Sequence, residues 1–209
     1  MNSQALVDIL LVIQIIITLL ISVQAFYHYV KTKGDILFSV GLSMSVIALG
    51  GITGLLEDTL LANSTFNSLW FRYIGQTISY LFILLISLRG SEAYIQRLKW
   101  WHIGGTILLL ALLVFTPLIP VNSDPTILAL LSGSRSAVCF AILLNYTAIF
   151  MNKRTRFSLL MGLAFLFITF GIWVYTMEFF LPHLLYLDYV GDGIRILGLV
   201  ILLAALFLG

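Results

Sequence analysis

The feature that most constrains this chain is a series of seven long apolar runs separated by short polar or proline-containing breaks. A helix needs about 20 apolar residues to cross roughly 30 Å of hydrocarbon. The runs are Ala5–Val30, Ile36–Leu56, Leu69–Leu88, Ile103–Ile119, Thr126–Phe150, Phe157–Phe180 and Tyr189–Leu208. They predict an all-α integral membrane protein with seven transmembrane helices, in a single domain over residues 1–209.

Composition excludes several classes of protein. Hydrophobic residues make up 61% of the chain and charged residues 10%, whereas about a quarter of the residues in soluble proteins are charged. The net charge of +2 and the scattered basic residues argue against a nucleic-acid partner. The single cysteine, Cys139, excludes an intramolecular disulfide and is expected to be a small buried packing group. The first run is too long for a signal-peptide core, so we expect it to remain as a spanning helix.

Basic residues occupy only alternate breaks between the runs. Because flanking lysine and arginine residues are retained on the cytoplasmic side, this pattern predicts that the N-terminus lies outside and the C-terminus in the cytoplasm. The lipid bilayer is then the first partner of the chain, and the plasma membrane its expected location. The first, third and fifth breaks hold Lys31, Lys33, Arg89, Arg97, Lys99, Lys153, Arg154 and Arg156.

Two parts of the chain resemble each other. Moving the sequence along itself by 121 positions places Gly41, Gly50 and Glu57 on Gly162, Gly171 and Glu178. With a further shift of two, Arg72 meets Arg195. These matches predict a parallel three-plus-one-plus-three helix repeat, in which units 5–88 and 126–208 are joined by the helix 103–119.

A plan of three helices, one linker helix and three helices resembles the architecture of the seven-helix sugar transporters called SWEETs. Parallel repeats in transporters place the substrate site at the repeat interface near the midplane. The proline-glutamine pair of the related PQ-loop proteins is absent from the first and fifth helices here. The seventh helix also has no lysine that could bind retinal, which argues against a rhodopsin. The resemblance is therefore architectural, and it assigns no family.

Charged residues inside the runs are the main candidates for a site, because each costs on the order of 3 kcal/mol in the hydrocarbon. Counting about 1.5 Å per residue from the flanking breaks places them in one layer at the outer side. Helical spacing puts Arg72, Gln76 and Tyr80 on one inward face. The layer consists of Glu57, Asp58, Arg72, Arg135, Glu178, Asp188, Asp192 and Arg195.

Two interpretations of this layer remain open. Arginine–carboxylate pairs could lock the outer ends of the helices together. Alternatively, the layer forms a vestibule in which spare guanidinium groups bind an anionic or zwitterionic small molecule. In the second case the arginines contact the ligand and the carboxylates act as counter-charges or cation contacts. The candidate ligand-binding residues are Arg72, Arg135, Arg195, Glu57, Glu178, Asp192, Gln76 and Tyr80.

Metal, cofactor and catalytic chemistry have little support. His28 and His102 are expected at the inner membrane edge, and His183 in the last outer break lacks the multiple-ligand pattern of a zinc site. No hydrolase elbow, phosphate loop or His-Glu-X-X-His signature is present. We therefore predict no metal, no cofactor and no catalytic residue, and an enzyme is the least favoured function.

The leading functional hypothesis is a sensor or receptor-like module that reads an external small ligand or ion. The seventh run ends near Gly209 without a basic flank, so either the helix ends at the interface or a cytoplasmic signalling domain follows; a signalling partner protein could also bind there. The first alternative is a small solute transporter with a central site at Gln14, Gln76, Tyr80 and Tyr175. The second is a non-catalytic subunit of a membrane complex. An open pocket with an unpaired arginine would favour a ligand-binding protein over a set of structural salt bridges.

Overall fold

A computed structural model of the chain describes residues 3–59, 67–88, 91–118, 124–181, 183–184 and 186–208. Over these ranges it contains seven α-helices, one short 3₁₀ turn at Thr116–Leu118 and no strand. The helices are α1 Ser3–Thr32, α2 Asp35–Thr59, α3 Leu69–Ser87, α4 Glu92–Phe115, α5 Pro125–Lys153, α6 Arg156–Met177 and α7 Tyr186–Leu208.

All seven of these described helices are long and apolar enough to cross a membrane. The all-helical, seven-helix architecture expected of an integral membrane protein is thus confirmed. One boundary differs clearly, because α4 begins at Glu92 rather than near Ile103. Ser91 caps the helix by accepting a hydrogen bond from the Tyr94 N–H at 3.3 Å, and Glu92 lies in the first turn, where a negative charge is favoured.

Six helices form a closed ring in the order α1, α2, α3, α5, α6, α7 and back to α1, while α4 packs outside it against α2 and α3. Within α1–α3 and within α5–α7, consecutive helices run in opposite directions. The contact of Gly50 in the second half of α2 with Arg72 near the start of α3 shows this. We call the end of the bundle where α1, α3, α5 and α7 begin the N-terminal face, and the other end the C-terminal face.

The peripheral helix α4 is held by polar contacts near the C-terminal face. The Nδ1 atom of buried His102 lies 3.0 Å from Ser39 Oγ on α2, and its ring stacks on Phe82 at 4.2 Å between centroids. Lys99 forms a salt bridge of 3.2 Å with Asp35. These contacts explain how a helix with a largely lipid-exposed surface keeps its position beside the ring.

Apolar side chains fill the interior of the ring on the C-terminal side of its middle. Ile21, Met44, Ile83 and Leu202 come from four different helices, and each is at most 2% exposed. They belong to one cluster that continues into α5 and α6. Because lipid tails are as apolar as these side chains, the cluster stabilises the bundle by close packing more than by exclusion of water. We call the four residues the central layer.

The closest helix pair is α6 with α7. A Cβ atom added to Gly191 would lie 2.8 Å from the Gly171 carbonyl oxygen, and one added to Gly198 would lie 2.7 Å from the Ala164 carbonyl oxygen. Only glycine permits backbones to approach this closely, which is the usual role of small residues between membrane helices. The result is a rigid α6–α7 pair beside the site described next.

Candidate functional site

The ring encloses a cavity of about 200 Å³ that extends inward from the N-terminal face and is lined by all six ring helices. We call it the N-terminal cavity. Its walls combine charged groups with apolar side chains such as Leu11, Ile15 and Leu199. Six of the eight candidate ligand-binding residues line it: Arg72, Arg135, Arg195, Asp192, Gln76 and Tyr80.

Arg135 on α5 is the most deeply buried cation of the cavity, at 3% exposure. Its Nη1 donates to Gln76 Oε1 at 2.5 Å and its Nη2 to Ser132 Oγ at 2.7 Å. The guanidinium carbon lies 4.4 Å from the ring centroid of Tyr73 and 5.9 Å from that of Tyr175. The Nε atom is buried and has no hydrogen-bond partner among the described residues. Arg135 is therefore held by neutral groups and π faces.

Arg195 on α7 is engaged within the protein. Its Nη2 lies 3.0 Å from Asp192 Oδ1, and the same nitrogen donates to Gln14 Oε1 on α1. The Nε2 atom of Gln14 is buried and has no hydrogen-bond partner in the part of the chain that the structure describes. This group ties α1 to α7 across the cavity, and it satisfies the charge of Arg195 with a carboxylate of its own helix.

Arg72 on α3 lies in a shallow groove made by two glycines of α2. A Cβ atom added to Gly54 would lie 2.8 Å from Arg72 Nη1, and one added to Gly50 would lie 3.6 Å from Arg72 Cγ. Asp188 on α7 lies within electrostatic range of Arg72. In the part of the chain that the structure describes, however, no carboxylate oxygen is within salt-bridge distance of Arg72 or Arg135.

Glu57 does not line the N-terminal cavity. Its Oε2 accepts hydrogen bonds from the Ser68 backbone N–H at 2.8 Å and from Ser68 Oγ at 2.6 Å. Ser68 is the N-cap of α3, where a negative charge is stabilised by the unpaired N–H groups of the first turn. The carboxylate thus ties the end of α2 to the start of α3. Its neighbour Asp58 has a side chain outside the described part of the structure.

Replacing Glu57 by alanine should lower the free energy of unfolding by about 1.5 to 3 kcal/mol, the range for hydrogen bonds to a charged group. Glu57→Gln keeps an acceptor oxygen and should lose less. Both effects can be measured by thermal unfolding in detergent. Ligand affinity should be unchanged in both variants, and a loss of affinity without a loss of stability would return Glu57 to the binding site.

Glu178, the other candidate outside the cavity lining, follows directly after α6. Partial burial raises the pKa of its carboxyl group, and the nearby carboxylates Asp188 and Asp192 raise it further. Among the described residues it has no salt-bridge partner. Glu178 is therefore an acidic neighbour of the cavity that is easier to protonate than an exposed glutamate.

The raised pKa of Glu178 predicts a pH effect on stability. Because folding raises the pKa of this acid, protonation favours the folded state. The free energy of unfolding should gain a contribution as the pH falls from neutral toward the ordinary value of 4.5. Glu178→Gln should remove that contribution and be slightly more stable than the wild type at neutral pH, an effect kept small by solvent screening. Melting temperatures at several pH values measure it, with Glu92→Gln as the control; equal pH slopes for the Glu178→Gln variant and wild type would contradict it.

Several cavity residues were outside the candidate ligand-binding set. Gln14 and Tyr175, which had been placed only in the transporter site, line the cavity together with Tyr73. Asp8 and Asp188 lie toward its opening. Asp8 had a usable signal in the sequence, because it is the one acidic residue inside the first apolar run. Tyr73 had no such signal, since its place in the cavity lining depends on which helices pack beside α3.

The serines around Arg135 hold α5 in place. Ser132 Oγ lies 2.7 Å from Thr176 Oγ1 on α6, and Ser136 Oγ donates to the Thr169 carbonyl oxygen at 3.2 Å. These are the contacts across helices expected of hydroxyl groups in a membrane bundle. Among the residues that the structure describes, no group of three or more His, Cys, Asp or Glu side chains is placed to hold a metal ion.

Comparisons of the chain with protein-family models, with curated proteins and with solved structures found no match. The function proposed below is argued from the geometry of this chain alone.

Proposed function

We propose that this protein is a sensor or receptor-like membrane module that binds a small anionic or zwitterionic molecule in the N-terminal cavity. One observation carries the proposal: Arg135 is buried at the cavity wall without a carboxylate partner among the described residues. An uncompensated buried ion costs several kcal/mol. A ligand carboxylate or phosphate would compensate that charge, so binding would recover free energy that the buried charge costs the empty protein.

The proposed orientation places the N-terminal cavity outside the cell, in the plasma membrane. In support, the C-terminal face has the basic clusters at the ends of α1 and α5, which include Lys31, Lys153 and Arg154. Arg156 begins α6 at the same face. Basic residues at the helix ends are retained in the cytoplasm, so a ligand would reach the cavity from the external medium.

Ring helices extend from the N-terminal cavity to the proposed cytoplasmic side. A second, mostly apolar cavity of about 630 Å³ lies at the C-terminal face. Helix α7 lines the N-terminal cavity with Asp188 and Asp192 and the second cavity with Leu206, and α1 likewise lines both. A ligand that binds one position of α7 more tightly would shift the population toward that position. The signal would pass to a cytoplasmic domain or partner protein at the end of α7.

The sensor hypothesis is tested by a label at the exposed end of α7. In a Cys139→Ala background, which removes the only cysteine, Leu208→Cys takes an environment-sensitive dye in nanodiscs. We expect phosphate, a small carboxylate or an amino acid from a test panel to change the fluorescence. The matched control is Trp101→Cys on α4, which is also exposed but lies outside the ring. If no panel member alters the α7 signal or the melting temperature, the proposal fails.

We also propose that the ring arose by duplication of a three-helix unit. The order α1, α2, α3, α5, α6, α7 maps onto itself when α1–α3 are exchanged for α5–α7. Matched positions make matched contacts: Gly50 packs on Arg72 as Gly171 packs on Arg195. A second pair of contacts, at the same offset of 121, supports the duplication: Gly41 with Phe26 and Gly162 with Thr147.

The second cavity also favours the transporter as an alternative function. The two cavities lie on either side of the central layer, as alternating access would require if that layer opened. Uptake of a labelled solute into proteoliposomes tests this alternative. Solute uptake by the wild type that is abolished by Arg135→Gln would show that the protein is a transporter. Binding without uptake would favour the sensor.

A further inference from the structure

We infer that the ligand of the N-terminal cavity is a zwitterion with one carboxylate and one primary ammonium group, the chemical class of a free amino acid. This inference rests on the proposed function, because it assigns a ligand class to the same cavity. Two sets of groups carry it, and they lie at different depths: unsatisfied N–H donors near the bottom of the cavity and unpaired carboxylates near its opening.

The donors define the deep end of the cavity. Two residues that line it have buried side-chain atoms with no hydrogen-bond partner within the described ranges, Gln14 at Nε2 and Arg135 at Nε. Both atoms are N–H donors, and neither meets an acceptor among the described residues. A carboxylate has two acceptor oxygens and matches a guanidinium in both charge and shape. The bottom of the cavity is therefore suited to an anionic group.

The carboxylates define the outer end of the cavity. Asp8 lies six residues before Gln14 on α1 and Asp188 lies seven before Arg195 on α7, which is about 9 to 10 Å nearer the N-terminal face. Neither carboxylate has a hydrogen bond or salt bridge among the described residues. Asp188 lies within electrostatic range of Arg72 and Arg195, but a simple anion would still leave both carboxylates without a hydrogen-bond donor. An ammonium group would satisfy them.

The other side chains that line the cavity restrict which kind of cationic group the ligand can have. Quaternary ammonium groups are recognised by cages of aromatic faces, but at Tyr73 and Tyr175 one face of each ring is already used by the Arg135 guanidinium. Carboxylate oxygens instead accept hydrogen bonds, which a primary ammonium can donate. The cavity volume of about 200 Å³ restricts the ligand to a small molecule, and Leu11 and Leu199 offer it an apolar wall.

The test compares three probes of nearly equal size on the purified full chain in nanodiscs. Alanine has both charged groups, propionate lacks the ammonium group and isopropylamine lacks the carboxylate. Glycine, serine and γ-aminobutyrate vary the side chain and the distance between the charges. Isothermal titration should give at least one amino acid a dissociation constant 10-fold or more below those of propionate and isopropylamine.

Two variants test which charged group of the ligand lies at the opening of the cavity and which lies at its deep end. Asp188→Asn, near the opening, should weaken binding of the amino acid and reduce its preference over propionate, without weakening propionate binding, because only the ammonium group is proposed to contact Asp188. Gln14→Leu removes a deep donor and should weaken both probes. These substitutions do not remove the buried cation, and a cooperative melting transition without ligand would show that each variant is folded.

The outcomes separate the two proposals. If propionate or phosphate binds as tightly as every amino acid tested, the zwitterion inference is overturned while the proposed function stands. If isopropylamine binds best, both proposals fail, because the cavity then selects cations. If no probe binds to the folded protein, both proposals fail as well.

Discussion

Replacing Arg135 by glutamine is expected to weaken ligand binding by about 30-fold or more. Removal of one partner from a buried, hydrogen-bonded charge pair costs about 2 to 5 kcal/mol, and every 1.4 kcal/mol corresponds to roughly 10-fold in affinity. Arg135 supplies both the buried charge and an unsatisfied donor at the bottom of the N-terminal cavity. The measurement is titration of the wild type and variant with the tightest-binding probe of the panel.

The same substitution should not destabilise the empty protein. The wild-type guanidinium is buried without a carboxylate partner among the described residues, and a neutral amide avoids the cost of that charge. We expect the melting temperature without ligand to be equal to or above that of the wild type. Arg97→Gln, at an exposed position on α4, is the control for loss of one positive charge. Lower stability with unchanged affinity would instead mean that Arg135 is purely structural.

The second large effect is expected at the contact between α6 and α7. Gly191→Ala should lower the free energy of unfolding by about 1 to 3 kcal/mol, the usual cost of overpacking a close contact. The new methyl group would lie 2.8 Å from both the Gly171 carbonyl oxygen and the Tyr175 backbone nitrogen. Because these are backbone atoms, neither can move away without separating the two helices. Thermal unfolding in detergent measures the loss.

Gly193→Ala is a closely matched control for this prediction. It lies on the same helix, and apart from its own helix backbone and chain neighbours, no described atom lies within 4 Å of the position its methyl group would occupy. Alanine is favoured over glycine in a helix by about 1 kcal/mol, so this variant should be at least as stable as the wild type. If Gly191→Ala and Gly193→Ala are equally stable, the close approach of α6 and α7 does not limit stability.

The architecture could be predicted from the sequence because it depends on a local property. Seven apolar runs of sufficient length predict seven helices, and the structure has them over its described residues. The start of α4 was missed, since Glu92 and its polar neighbours belong to no apolar run and the helix there depends on the Ser91 cap. The closed ring could not be derived, because the α1–α7 and α3–α5 contacts join segments far apart in sequence.

The sequence indicated which charged residues lie near the site, but it did not indicate which groups they would pair with. Helical spacing placed Arg72, Gln76 and Tyr80 on one face, and all three line the cavity. The sequence contains no information on whether an arginine meets a carboxylate or a glutamine. Glu57 illustrates this limit: its depth matched the other charges, but the nearby N-cap Ser68 donates two hydrogen bonds to its carboxylate.

The position of α4 outside the ring has a mechanical consequence. The only covalent connection between the α1–α3 half and the α5–α7 half passes through this outer helix. Around the cavity, the halves meet at two seams, where Arg195 donates to Gln14 and Arg135 donates to Gln76. A bound molecule that contacts both seams would therefore crosslink the two halves at the N-terminal face, in addition to the apolar cluster that they share.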